Sequence, residues 1–428
     1  MLNIKNKIEN KFIGLFIANI LATSLSSTVL AADITAGTIL SKDNIDQLKS
    51  QTFDGHKVSD LLTEKMEMMI RDYNLKLKLA PNSKVTLNSN WYEADKKYGG
   101  SAILDANTHM VSSYQGGVPF HNVSESDPNA GWKLAWNHYY SNPVIGDTWA
   151  ADAEVFITEP DNGVIDNFGA ANARMRNKGR INGEPSTGKD NDHSRYLLVL
   201  SKPYDVAGLG VFNKQYSDGK VDDGWVYLKS IRRSRRTAGG KSWMDPQPKM
   251  DLLNDDNQGS LGMPAWFPNW QLLEKRWILA VVDAHDPNAA FNIEDTLEMA
   301  SPYWNPNSAT QQWSPREVWV VKGTMPEEHP YGHKILYMDT QFPTYYMTEN
   351  YDKKGDFWRL WRQSYVQTKE GVNDELYFVN TQAIDFQRQR ATYISITYMT
   401  NNVVTEDFFK PSALKKAAAG KLSKQFIH

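Results

Sequence analysis

The chain has 428 residues, with 47 basic side chains against 50 acidic ones and a formal net charge of −3. This balance gives no electrostatic case for nucleic acid, whose binders carry a basic excess. No cysteine occurs, which excludes a disulfide framework, a thiolate metal site and a lipid-anchored cysteine. Aromatic residues make up 12%, with 14 Trp, and the mean hydropathy is −0.55.

Residues 1–31 read as a signal peptide. Lys5, Lys7 and Lys11 precede an apolar run from Phe12 to Ala22, and Val29-Leu30-Ala31 fits cleavage after Ala31. The run is too short to span a bilayer, which takes ~20 apolar residues. The expected mature chain, 32–428, is therefore exported to the periplasm, soluble and not lipid-anchored, with at most a peripheral membrane contact. Its length allows two or three average domains or one large β fold.

In "KVSDLLTEKMEMMIRDY" the residues Val58, Leu61, Leu62, Met66, Met69, Ile70 and Tyr73 recur at helical spacing, which predicts one amphipathic helix. Its stripe packs on the core or lines a cavity, where methionine's flexibility suits a ligand. From about Trp91 to Trp149 the Gly, Pro, Asn and Asp of "SYQGGVPF" and "DPNAGWKLAWNHY" predict loops with little regular structure. A second polar stretch between Asp161 and Asp192 reads as an exposed loop or helix end.

Beyond it the period changes to two. "RYLLVLSKPY", "GWVYLKSIRRSRR", "KRWILAVVDA", "REVWVVKGTM", "HKILYMDTQF", "TYYMTENYDKKGDFWRLWRQSYVQ" and "ATYISITYMT" read as seven or more strands, with "YDKKGDFW" as a hairpin. The predicted class is α+β, with a large antiparallel sheet. In "REVWVVKG" both strand faces are partly apolar, which fits a two-layer core or a sheet curved around an apolar space.

"SIRRSRR" carries Arg232, Arg233, Arg235 and Arg236. A twin-arginine export signal lies at the N-terminus, so position excludes it. As the end of one strand, the run places Arg233 and Arg235 on one face and Arg232 and Arg236 on the other. Asp251, Asp255 and Asp256 in the following "DLLNDDNQGSLG" are the expected ion-pair partners. The alternative is a face that meets an anionic headgroup or a partner protein.

Catalytic signatures are scarce. There is no Gly-x-Ser-x-Gly elbow, Walker loop, dinucleotide fingerprint or His-Glu-x-x-His. The nine histidines show no close metal-ligand spacing. Ser412 and Lys415 form an isolated Ser-x-x-Lys, and the pairs Asp255/Asp256 and Glu327/Glu328 lie in turn-like text. No cofactor and no metal are implied. Tryptophans such as Trp132, Trp225, Trp270 and Trp361 suit core packing, sugar stacking or a lipid pocket.

Taken in order, "SYQGGVPF", "DPNAGWKLAWNHY", "SIRRSRR", "MDLLNDDNQGSLG", "REVWVVKGTM", "GHKILYMDTQFPTYYMTENYDKKGDFWR" and "DFQRQRATY" resemble the signature of a periplasmic family of unknown function, DUF1329, often labelled outer-membrane lipoprotein-sorting protein. The resemblance runs roughly from Asp33 to Leu414. It implies a LolA/LolB-like fold, an incomplete and strongly curved antiparallel barrel with helices over its open side and an apolar cavity between. The domain plan that follows is a single domain over 32–428, with an N-terminal helical segment and loop-rich insertions. The resemblance further implies a non-enzymatic carrier of a lipid or other hydrophobic compound, associated with outer-membrane barrel proteins and RND-type transporters. The expected cavity lining includes Met66, Met69, Trp319, Tyr337, Tyr346 and Trp358. The alternatives are a carbohydrate-active protein or enzyme, recognised by two carboxylates in a Trp-flanked cleft, and an envelope scaffold without a ligand, recognised by a packed interior.

Overall fold

The computed structural model describes residues 33–141, 146–189, 191–237, 240–244, 250–284, 297–298, 301–303, 305–370, 373–401 and 405–418. The expected signal peptide lies outside them. The helix expected over 57–73 is two pieces, a single turn Val58–Leu61 and the longer α1, Glu64–Tyr73. Leu62 is extended, and the Thr63 hydroxyl accepts the Met66 N–H at 3.1 Å. Capping by a threonine side chain satisfies one of the orphan N–H groups of a new helix start, so the stripe breaks there.

The stretch expected to be loops contains α2, Ser89–Tyr98, and α3, Ala130–Ser141. All of α3 except Lys133 is buried, as a helix apolar on every side requires. Gly131 makes its close seating possible: a Cβ there would lie 2.5 Å from the backbone of Trp270 and Gln271.

The long strands join in one 15-stranded sheet. Its first run is β1 (Thr148–Glu159), β2 (Gly163–Arg176), β3 (Asp192–Lys202), β4 (Gly210–Tyr216), β5 (Asp223–Leu228) and β6 (Arg233–Arg236). Its second run is β7 (Asn269–Ala284), β8 (Gln311–Thr324), β9 (His333–Asp339), β10 (Tyr345–Tyr351), β11 (Phe357–Glu370), β12 (Asn373–Asp385) and β13 (Arg390–Asn401). Within each run successive strands pair antiparallel. A single seam, β13 against β1, joins the two runs. Among the described residues β6 ends the first run and β7, paired only with β8, ends the second, and the two do not pair, so the barrel does not close. Register shifts in most of the strand pairs bend the sheet, and β7 packs against β11, four places away. Two short strands, Ile39–Leu40 and Leu77–Leu79, extend it, the latter running parallel to Gln312–Trp313.

The expected α+β class with a large curved, unclosed antiparallel sheet is thus present, and its helices lie on both faces. Met66, Met69 and Ile70 of α1 share a core with Val318, Val320 and Leu360. Trp132 of α3, with Trp243, Leu252 and Phe267 from the β6–β7 connection, packs on Val321, Leu336 and Trp361. Because β8 is covered on both sides, its two apolar faces are a two-sided core. The expected hairpin after Tyr351 is found: the Asp352 carboxylate accepts the Lys354 and Asp356 N–H groups, and Gly355 takes φ +90.

Two expectations are corrected. The first half of the polar stretch between Asp161 and Asp192 is strand β2, because its small residues Ala170, Ala171 and Ala173 sit buried between β1 and β3, and the expected loop follows it, exposed at Gly183, Glu184, Ser186 and Thr187. "WVYLKSIRRSRR" is a hairpin rather than one strand. Tyr227 pairs with Ser234 and Val226 with Arg235, while Arg232 occupies the turn at φ +52. All four arginines are exposed.

Candidate functional site

The period-two alternation of β2 turns Ala170, Asn172 and Arg174 toward one face. Across the ladder, Leu198 faces Asn172, Tyr196 faces Arg174, and Trp149 of β1 flanks Arg174 on its other side. Val155 of β1, Ile394 and Ile396 of β13 and Phe378 of β12 continue this face across the seam. Since β6 and β7 end opposite runs, the chain between them must cross the sheet, and its Met250, Asn257, Gln258 and Leu261 roof these strands. The space enclosed is a narrow slot of about 90 Å³. Ligand pockets run to roughly 300–1,000 Å³, so the slot is small as it stands.

The slot is graded along the strands. Val155, Ala170 and Ile394 lie toward one end, with Thr381 and Gln363 beside them; Asn172 and Leu198 face each other in the middle; and Arg174, Asn213 and Gln215 lie toward the other end, with Trp149 and Tyr196. Arg174 donates to Ser194 Oγ at 3.3 Å and to the Gln215 and Gln258 side-chain oxygens at 3.4 Å. Among the described residues it has no ion-pair partner. Burial, reinforced by the neighbouring Arg176 charge, lowers Arg174 to about 10, which still leaves it charged at neutral pH. Its closest acidic influence is Asp222, which accepts from the Gln215 amide at 3.4 Å.

The roof is fixed by ion pairs. The Arg390 guanidinium grips Asp251 at 2.9–3.0 Å, and the Asp251 N–H donates to Thr392 Oγ1. Lys334 Nζ reaches Asp255 at 2.5 Å and Asp256 at 2.8 Å with all three side chains buried, and Tyr331 donates to Asp256. Burial disfavours the Asp255 carboxylate, but the Lys334 and His329 side chains outweigh it and hold its pKa well below the usual range. Asp251, Asp255 and Asp256 are therefore committed to Arg390 and Lys334, not to the "SIRRSRR" run. Of that run, Arg236 pairs instead with Asp223 across the hairpin and lies over the Trp225 ring.

The expected lining residues fall elsewhere. Met66 and Tyr346 border a second, smaller space of about 20 Å³, which shares Gln363 with the slot. Met69 and Tyr337 lie in the same core, and the Tyr337 hydroxyl donates to Glu349. Trp319 and Trp358 are half-buried beside the tryptophan core under α3, with Trp358 Nε1 donating to Asp385. None of the six borders the slot itself. The alternation of "ALA170-ASN172-ARG174" was the sequence signal for it, hidden because this stretch read as a loop.

A wider cleft of about 880 Å³ opens near Asp147, Arg180, Arg195, Lys214 and Glu406. Its wall is polar, and Arg180, Arg195 and Lys214 are paired with Asp147 or Asp192. Among the described residues no three His, Asp or Glu side chains are placed to hold a metal, and no helix is long and apolar enough to cross a membrane. Asp255 and Asp256 form no Trp-flanked cleft, being buried on Lys334.

The family model described as protein of unknown function (DUF1329) matches residues 40–415, and the chain belongs to that family. No curated protein matches it. Among solved structures, a DUF1329 family protein from Desulfovibrio piger is similar at 17% identity and TM-score 0.46, covering 68% of this chain and 100% of its own. A domain described as an outer membrane lipoprotein-sorting protein domain from Vibrio parahaemolyticus gives 15% identity and TM-score 0.45 over the same shares. A LolA superfamily protein from Nitrosomonas europaea gives 11% and 0.37, covering 62% of this chain and 90% of its own.

Proposed function

We propose that this DUF1329-family protein is a non-enzymatic periplasmic carrier or accessory protein that holds a hydrophobic or amphiphilic small molecule between its sheet and the β6–β7 connection. The observation that carries the reading is the slot, apolar along most of its wall and roofed by a segment pinned by buried ion pairs. Admission of a ligand needs more room than about 90 Å³. Met250, an adaptable side chain in the roof, and Gln363, the partition toward Met66 and Tyr346, are the groups that give way in this reading. Passage of the ligand to an outer-membrane barrel protein or an RND-type transporter is part of the same proposal. So is a peripheral membrane contact through the tip where Tyr204 (88% exposed) and Ile231 (41% exposed) lie near Lys229, Arg232 and Arg233.

The narrowness of the slot favours a second reading, an envelope scaffold without a ligand. Native mass spectrometry and lipid extraction of protein purified from the periplasm separate the two, together with titration of a fluorescent fatty acid. A bound amphiphile, and probe binding that weakens at least ~10-fold in an Ala170→Leu variant with unchanged circular dichroism, support the carrier. An empty protein that binds no probe leaves the scaffold.

A further inference from the structure

Within the carrier reading, on which this inference rests, we infer that the slot selects amphiphiles bearing one anionic oxo head, a carboxylate or a phosphate monoester, seated on Arg174 with the tail toward Val155 and Ile394. Three observations converge. First, a guanidinium partly withdrawn from water, as Arg174 is, normally has a carboxylate partner, since an unpaired charge in such a place is costly. Arg174 has only the hydroxyl of Ser194 and the amide oxygens of Gln215 and Gln258, at 3.3–3.4 Å, long for charged hydrogen bonds. Second, Asn172, the next inward residue of β2, makes no side-chain hydrogen bond among the described residues although it borders the same space. Its amide lies one strand repeat from the guanidinium, so the two supply donors side by side. Third, along β2 itself the slot-facing side chains pass from Ala170 through Asn172 to Arg174, and Val155, Ile394 and Ile396 lie on the Ala170 side, with Thr381 and Gln363 as the polar groups there. A molecule with one charged end and one apolar end matches that grading. A neutral hydrocarbon leaves Arg174 uncompensated, and a cation is repelled by it. Asp222 does not substitute for the missing anion, because Gln215 stands between it and Arg174.

The test uses the full chain stripped of bound lipid, with quenching of Trp149 and its neighbours read alongside calorimetry. Dodecanoate, dodecyl phosphate, dodecanol and dodecyltrimethylammonium are titrated below their micelle concentrations. The expected result is that at least one anion binds roughly tenfold or more tighter than dodecanol, as one charged hydrogen-bond pair gives, and that the cation binds weakest. Whether dodecanoate or dodecyl phosphate leads identifies the head. Arg174→Gln erases the difference between anion and alcohol while alcohol binding persists; Arg174→Lys, which keeps the charge, retains it. Equal binding of dodecanol and both anions to the native protein overturns the headgroup inference and leaves the carrier reading standing. Failure of all four probes to bind overturns the carrier reading itself, and the inference with it.

Discussion

The Lys334 ammonium of β9 lies 2.5 Å from the Asp255 carboxylate of the slot's roof, and both side chains are wholly buried. Removing one partner of such a pair leaves the other charge stranded, at about 3–5 kcal/mol. Lys334→Met is therefore expected to lower the urea midpoint by an amount in that range. Adding Asp255→Asn and Asp256→Asn to it recovers most of the loss, because replacing every charge in a buried set is often close to neutral. Equilibrium unfolding of the two variants checks both statements.

Acid weakens the fold through its buried histidines. Burial lowers His138 to about 4, against the opposing hydrogen bond to the Pro343 carbonyl, and it also lowers His193 and His329. Between roughly pH 6.5 and 4 the unfolded chain binds the protons that the folded chain refuses, so stability falls as pH falls through this window. His138 alone contributes about 3 kcal/mol. Asp152, raised to about 6 by burial and by Glu154, works in the opposite direction. Thermal melting across this range, with His138→Gln flattening the decline, is the measurement.

Gly131→Ala adds a methyl group where the strand backbone lies 2.5 Å away. The helix has to shift off Trp270, which costs about 1–3 kcal/mol as overpacking does. A lowered denaturation midpoint with an unchanged slope is the expected result.

Reversing Arg233 and Arg235 to glutamate touches only exposed side chains on an edge strand. Stability should stay within about 0.5 kcal/mol. If the hairpin tip meets anionic lipid, cosedimentation with vesicles containing an acidic phospholipid falls sharply. Unchanged sedimentation removes that role and leaves the arginines as edge guards, since charge on an outer strand discourages pairing between molecules.

The strands legible in the sequence were those built from β-branched and aromatic residues, such as β7, β8 and β13. The strands missed are β1, β2, β4 and β12, and of these β2 has another chemistry. β2 is rich in alanine, asparagine and glycine, which read as loop, yet its neighbours on both sides bury it. α3 shows no apolar stripe because every side of it is covered, so its aromatic residues gave no helical period. The β5–β6 turn lacks a glycine marker, since Arg232 itself takes the positive φ. The slot lay in the stretch lost for the first of these reasons, whereas the family signature was carried by the motifs around it.

The seam between β13 and β1 sets an order of events. The first run of strands precedes Arg390–Asn401 in the chain, and until that last strand is in place β1 offers an unpaired rim to any neighbour. Distant pairings of this kind form slowly. The slot draws Trp149 and Val155 from one side of the seam and Ile394 and Ile396 from the other. A chain halted before its final strand thus has neither a complete slot nor a sealed rim, and the slot exists only in molecules that have finished assembling.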